Sequence, residues 1–139
     1  MKVMLEPGAK MPKREHAKDA GYDLFSNECG IVPPHSAKTF RTGVHIQLPE
    51  GKAGLLVSKS GMNSKFSITS TGLIDQGYRG EIKATLHNGG DMPYIVDHGQ
   101  KITQLVIISP EYAPLELVAE LDESEDGRGE DGFGSTGRF

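Results

Sequence analysis

An all-β fold, an antiparallel sandwich or barrel, is predicted for this chain on three observations. Apolar and polar residues alternate in many short runs, as in Ile82-Lys83-Ala84-Thr85-Leu86. The 139 residues hold 18 glycines and 8 prolines but no tryptophan, which suits frequent turns between short strands. Helical periodicity is nearly absent.

The elements follow in order. Lys2–Leu5 is the first predicted strand. Residues 6–18 are polar, carry Pro7 and Pro12, and are expected to be loop. Residues 20–26, Ala-Gly-Tyr-Asp-Leu-Phe-Ser, alternate and are assigned to a strand, and Pro33-Pro34 marks a turn. Residues 37–41 and 44–48 are expected to be two strands joined by Thr42-Gly43. Pro49-Glu50-Gly51 is a turn, and residues 54–58 form an apolar strand. Residues 59–66 hold the one short helical piece expected. Residues 72–82, Gly-Leu-Ile-Asp-Gln-Gly-Tyr-Arg-Gly-Glu-Ile, are predicted to be a β-hairpin whose turn is Gln76-Gly77, with Gly77 at positive φ and Tyr78 opening the return strand. After a Gly89-Gly90 break come strands at 92–96 and 101–108, separated by Asp97-His98-Gly99, and a last strand at 115–121. From Asp122 the chain turns acidic, then Gly-rich over 128–137. The expected organisation is one β domain, 1–121, and a mobile C-terminal arm, 122–139.

Composition narrows the function classes. The length supports one domain with a core that needs neither disulfides nor structural metal. Cys29 is the single cysteine, which fits a reducing compartment. No signal peptide or membrane-spanning apolar stretch is visible, so a cytoplasmic location is expected, and a viral or phage source is compatible with it. A net charge of −4 argues against direct nucleic-acid binding, although a local basic pocket could still hold phosphates. The five histidines, at 16, 35, 45, 87 and 98, lack zinc spacing. There is no nucleophile elbow for a Ser-His-Asp arrangement.

Five stretches could carry chemistry. Asp75 lies at one shoulder of the predicted hairpin and Tyr78 at the other, so the hairpin could hold a small flat ligand while Asp75 handles a water. A solvated surface acid is the competing reading. In Ser58-Lys59-Ser60-Gly61, a cation, a hydroxyl and a small residue could seat a phosphate, or form an ordinary turn. Gln104 lies in an apolar run, where its amide needs a partner, whether backbone or ligand. In the arm, Arg128, close-spaced glycines and Ser135-Thr136 could wrap phosphates, while Phe133 could stack on a base. The segment is no P-loop, because it lacks Gly-Lys-Ser/Thr. Asp23 could order a metal's water or cap a turn.

Together these stretches resemble the trimeric dUTP diphosphatase (dUTPase) family, whose ordered motifs have counterparts at 20–26, 58–62, 72–82, 99–106 and 128–137. The resemblance implies a β jelly roll and a homotrimer, with active sites between subunits and the arm of one subunit closing a site built by the other two. It implies Mg²⁺-dependent hydrolysis of dUTP to dUMP and pyrophosphate, which keeps uracil out of DNA and supplies dUMP for thymidylate synthesis. Asp75 matches the acid that activates water, and Tyr78 the ring that excludes a 2′-hydroxyl. Gly72, Leu73 and Ile74 match the hairpin whose backbone reads uracil. Thr69 stands where a uracil-contacting Asn is frequent, and Lys83 where a substrate contact is frequent. Lys59, Ser60, Gly61 and Gln104 match phosphate contacts. Asp23 matches an acid that positions water around Mg²⁺, the ion being held mainly by substrate phosphates. Phe133 matches the ring over uracil, and Arg128, Gly134, Ser135 and Thr136 match the γ-phosphate grip.

The chain departs from the family pattern at Lys59, a point charge replacing a bidentate Arg, and at Gly77, where a second acid is common. Asp131 also departs, breaking a Gly-Gly. Uracil offers acceptor, donor, acceptor along one edge, and a hairpin mouth can offer the complement. Cytosine leaves buried groups unpaired there, a mismatch costing on the order of 10⁴ in discrimination. A dCTP deaminase-like enzyme of the same fold, and a regulator that uses the nucleotide to switch a protein partner, are the alternatives.

Overall fold

The structure, a computed structural model, describes residues 1–122. Its strands are β1 (Lys2–Leu5), β2 (Gly21–Phe25), β3 (Gly30–Val32), β4 (Ser36–Gln47), β5 (Ala53–Val57), β6 (Ile68–Ile74), β7 (Ile82–Asn88), β8 (Tyr94–Val96) and β9 (Lys101–Ile108). A short helix, α1 (Ser60–Phe66), joins β5 to β6. The sheet order is β1-β4-β7-β6-β5-β9-β2, with β3-β8 as a separate ribbon, and the strand pairs are antiparallel.

Alternation drives the packing. Ile82, Ala84 and Leu86 of β7 point inward while Lys83 faces solvent. Two apolar clusters result. Leu24, Val44, Ile46, Leu56, Ile74, Ile82 and Leu105 fill one. Val32, Phe40, Met62, Ile68, Leu86, Val96 and Ile102 fill the other. Strands β4, β6, β7 and β9 run through both clusters. A polar belt crosses between them, where the buried Ser70 and Thr103 hydroxyls lie 2.8 Å apart and Thr103 donates to the Val57 carbonyl at 3.0 Å.

Four expectations need correction. Thr42-Gly43 is not a turn between strands: β4 is continuous, with its register shifted between Arg41 and Val44. Gly43 takes φ +64, which serves a bulge rather than a reversal. Gly30–Val32, to which the amino-acid pattern assigns no element, forms β3 against β8. Residues 115–121 form no strand: Leu115, Leu117 and Leu121 are almost fully exposed and pair with no described strand.

The fourth correction concerns the hairpin. Strands β6 and β7 pair at Ile68↔Asn88, Thr69↔His87 and Ser70↔Leu86, and then part. From Thr71 to Ile74, β6 pairs with β5 instead. Gln76-Gly77 does form a two-residue turn, closed by the Tyr78 amide on the Asp75 carbonyl, but no strands pair across it. Tyr78 lies in a wide loop, 75–81, and Gly77 is not among the glycines at positive φ. The parting has an identifiable cause in a neighbouring segment. Ser58 Oγ accepts from the Ser70 amide at 2.8 Å and donates to the Ser70 carbonyl at 3.1 Å, taking the place of a strand neighbour where β6 changes partner.

Candidate active site

The parted strands make a cleft. On its two sides are the β6 edge over 71–74 and the β7 edge over 82–85, which carry backbone donors and acceptors not used in β6–β7 pairing. Gly72 and the half-exposed Leu73 lie on the first edge, and Lys83 projects from the second. Thr69 is farther up β6, opposite His87. It opens onto a surface groove of about 590 Å³ that also touches His35, Asn63 and Ser67.

The loop 75–81 closes one end of the cleft. Asp75 is exposed, and its carboxylate makes no hydrogen bond or ion pair to a described residue. Its carbonyl accepts from the Tyr78 amide at 3.0 Å. Tyr78 folds back over Gly80, and its hydroxyl donates to the Glu81 carbonyl at 2.9 Å. Gln76 Oε1 accepts from the Gly51 amide at 2.7 Å, tying the loop to the Pro49-Glu50-Gly51 turn. Arg79 donates to the carbonyls of Gln76 and Tyr78.

Glu81 anchors the loop's exit. Its carboxylate accepts from the Gly43 amide at 2.8 Å and from Arg41 Nε. Burial pushes the Glu81 carboxyl up, but the Gly43 amide and Arg41 outweigh this and hold it below the ordinary carboxylate value. Glu6 pairs with Arg41, and His45 bridges Glu6 and the Arg79 carbonyl.

A second group of residues gathers elsewhere on the sheet. Asp23, Gln104, Val57 and Thr71 share one cross-strand row over β2, β9, β5 and β6. Asp23 is buried, with Lys59 and Gln104 on Oδ1 and Lys101 on Oδ2 at 2.8 Å. Burial pushes the Asp23 carboxyl up, and hydrogen bonds from Lys101 and Lys59 reverse the balance and hold it below its ordinary value. Ser60 and Gly61 open α1 and are exposed beside Lys59.

The two groups do not meet within one chain. Asp75 follows Ile74, which pairs with Gly54, whereas Lys59 lies beyond Val57 at the other end of β5. At the rise of a strand that separates them by roughly 15–20 Å. Arg128, Phe133, Gly134, Ser135 and Thr136 lie outside the described residues.

Sequence reasoning missed Glu6, Arg41, His45 and Lys101 as parts of these networks. His45 and Arg41 sit on β4 next to buried positions, and nothing in the pattern links them to residues 79 and 81, more than thirty positions away. Lys101 carries no local signal, because its role comes from the β2–β9 register.

Asp23 is the one acid in its group, and among the described residues no three His, Cys, Asp or Glu side chains cluster as a metal cage. A single buried carboxylate already facing two ammonium groups suits water around a cation carried by phosphates, not a cation held by protein alone.

Residues 8–137 match the family model for dUTPase. The deoxyuridine 5'-triphosphate nucleotidohydrolase of Mycobacterium marinum is 39% identical over 97% of this chain and 92% of its own length. The protein of the same name from Clostridium tetani is 41% identical over 97% of this chain and 94% of its own. Among solved structures, a Staphylococcus bacteriophage 80alpha dUTPase with dUpNHpp superposes with a TM-score of 0.91 at 35% identity, covering 99% of this chain and 98% of that one. A mutant dUTPase of the Staphylococcus aureus phage phi11, described as coordinating a structural Mg(II) ion, superposes with a TM-score of 0.79 at 33% identity over 86% and 96% of the two chains.

Proposed function

The chain belongs to the dUTPase family, has its jelly-roll fold and hydrolyses dUTP, and from that premise we propose which of its residues do the work. Uracil enters the cleft between β6 and β7, where the free edges near Gly72, Leu73 and Ile74 and around Lys83 meet its acceptor-donor-acceptor edge. The observation that carries this reading is the parting of β6 from β7 after Ser70, with Asp75 and Tyr78 at its mouth. Thr69, one turn of the pleat before the parting, lines the approach. Tyr78, held by Glu81 and Gly80, lies against the deoxyribose and leaves no room for a 2′-hydroxyl. The exposed Asp75 carboxylate, free of internal partners among the described residues, takes a proton from the attacking water as it approaches the α-phosphorus. The products are dUMP and pyrophosphate, so the reaction lowers dUTP and supplies dUMP.

Lys59, Ser60, Gly61 and Gln104 bind the phosphates. Lys59 must leave Asp23 in part to do so, and Lys101 remains to hold that carboxylate. Asp23 would accept from water around Mg²⁺, and the ion, when bound, would offset the triphosphate charge. The arm, 122–139, supplies Phe133 over uracil and Arg128, Gly134, Ser135 and Thr136 around the γ-phosphate.

We propose a homotrimer with the sites between subunits. The separation of Asp75 from Lys59 supports this, since one chain does not bring both to one phosphate chain. The exposed apolar stretch at Leu115, Leu117, Val118 and Leu121 supports it too, being surface that an isolated chain leaves wet. Among the described residues no helix is long and apolar enough to cross a membrane.

The test is pyrophosphate release from each deoxynucleoside triphosphate with Mg²⁺, by wild type and by Asp75→Asn. The variant is expected to bind dUTP and to lose all but about 10⁻² to 10⁻⁴ of turnover, the span of general base catalysis. Near-normal turnover in Asp75→Asn would remove Asp75 from the mechanism.

A further inference from the structure

We propose that His45 is a positioning residue for dUTP hydrolysis: as an imidazolium it clamps the Arg79 carbonyl, in the loop that carries Asp75 and Tyr78, to the carboxylate of Glu6. The inference rests on the reading that this loop performs the chemistry.

Geometry carries the argument. His45 Nδ1 lies 2.9 Å from the Arg79 carbonyl oxygen, and Nε2 lies 3.1 Å from Glu6 Oε1. A carbonyl can only accept. Glu6 Oε2 is engaged by Arg41, so the carboxyl is ionised and also only accepts. A neutral imidazole has one N–H and one lone pair, so one of the two contacts would set lone pair against lone pair. Both bonds form together only when both ring nitrogens carry protons.

The surroundings agree. Glu6, from the segment after β1, faces the ring, as does Glu81 from the entry to β7. The opposing charges are Arg41 on β4 itself, which Glu6 and Glu81 already hold, and Arg79 and Lys2, which line the same shallow groove as His45. The hydrogen bond to the Arg79 carbonyl, then that to Glu6, outweigh burial and hold the imidazole above its ordinary 6.5.

The clamp acts where the loop returns to the sheet. Tyr78 and Gly80 flank Arg79, and the Tyr78 hydroxyl ends on the Glu81 carbonyl. Glu81 fixes one side of the exit through Gly43 and Arg41. His45 fixes the other side through Arg79. With both in place the backbone that follows Tyr78, and the Glu81 carbonyl on which its hydroxyl ends, are held. Because the folded protein favours the protonated ring, the clamp is complete below the ordinary value and is released as pH rises through the raised one.

The experiment uses the full-length protein. Nitrogen-15 NMR of the His45 ring at neutral pH should find both nitrogens protonated, and Glu6→Gln should lower the pH at which the ring titrates. His45→Gln should lower kcat/KM for dUTP about tenfold, the size of one charge-assisted hydrogen bond in a positioned loop. It should also raise the use of UTP relative to dUTP and remove the wild-type decline that sets in as pH rises through the raised value of the ring. His45→Arg, a permanent cation with several donors, should restore most of the activity with a flat profile. A His45 ring with a single N–H at neutral pH overturns the proposal, as does a His45→Gln enzyme that matches wild type in pH profile and sugar preference. The NMR result needs no variant to fold and no turnover, and Asp75→Asn tests the catalytic loop separately. A doubly protonated ring beside a fully active Asp75→Asn would therefore reject the loop's role in chemistry and not the clamp.

Discussion

A Cβ added at Gly80 would fall 2.5 Å from Cζ of Tyr78, inside any allowed contact. The obstructing atoms belong to the far end of a side chain, so the ring would swing away before the backbone moved. Gly80→Ala is therefore expected to keep the fold, with a melting temperature within about 3 °C of wild type, and to lose sugar discrimination. Its ratio of UTP to dUTP turnover should rise about tenfold or more, since a displaced ring no longer fills the 2′ position. An unchanged ratio would move discrimination to another residue. Gly77 behaves oppositely, because an added Cβ there meets nothing within 4 Å. Among the carboxyls held below their ordinary values, Asp23 and Glu81 are the ones set into the fold, whereas Glu15 is exposed beside Lys101. Asp23 and Glu81 both lie below their ordinary values of 3.8 and 4.5. The unfolded chain thus binds more protons than the folded one in that range, so the stability these groups contribute is present above the ordinary values and is lost as pH falls through the lowered ones. Thermal melts from about pH 5.5 down to pH 2.5 should show a falling midpoint, and Asp23→Asn should flatten that fall. An equally steep fall in the variant would assign the acid limit to other groups.

At the scale of elements, the change of partner by β6 is the decisive event, and Ser58 sustains it. Ser58→Ala would leave the amide of the buried Ser70 without its acceptor, a cost of about 1–3 kcal/mol. For a domain of this size that corresponds to a fall in melting temperature of roughly 3–10 °C. A midpoint within 1 °C of wild type, or about the error of the measurement, would mean that Ser58 does not hold the switch. The same strand shows what the amino-acid pattern can carry. Ile82, Ala84 and Leu86 reveal β7 and its buried face because alternation is local. The parting of β6 from β7 has its cause in Ser58 and β5, residues distant in sequence, so the Gln76-Gly77 turn between Asp75 and Tyr78 is legible in the pattern while the lack of strand pairing across it is not. Thr42-Gly43 misleads similarly, since a glycine at positive φ serves a bulge as well as a reversal. Leu115, Glu116 and Leu117 alternate like a strand, and strand pairing needs an edge that local pattern does not supply.

At the scale of the whole molecule, the row from Asp23 through Gln104 and Val57 to Thr71 places the phosphate-binding group at one end of β5 and β6, and the loop with Asp75 at the other. The order of motifs along the chain was readable, whereas their separation across the sheet depends on the register of four strands. That separation has a genetic consequence. If each site draws Asp75 from one subunit and Lys59 from its neighbour, two individually dead alleles should rescue each other. Co-expressing Asp75→Asn chains with Lys59→Ala chains would form mixed assemblies, in which a site works when the Lys59→Ala chain lends its Asp75 and the Asp75→Asn chain lends its Lys59. In a head-to-tail ring of three that holds both variants, about one site in three is intact. Mixed assemblies isolated by two affinity tags should then recover about a third of wild-type turnover per site, while each variant alone stays silent. Mixed assemblies as inactive as their parents would mean that every site is built within one chain.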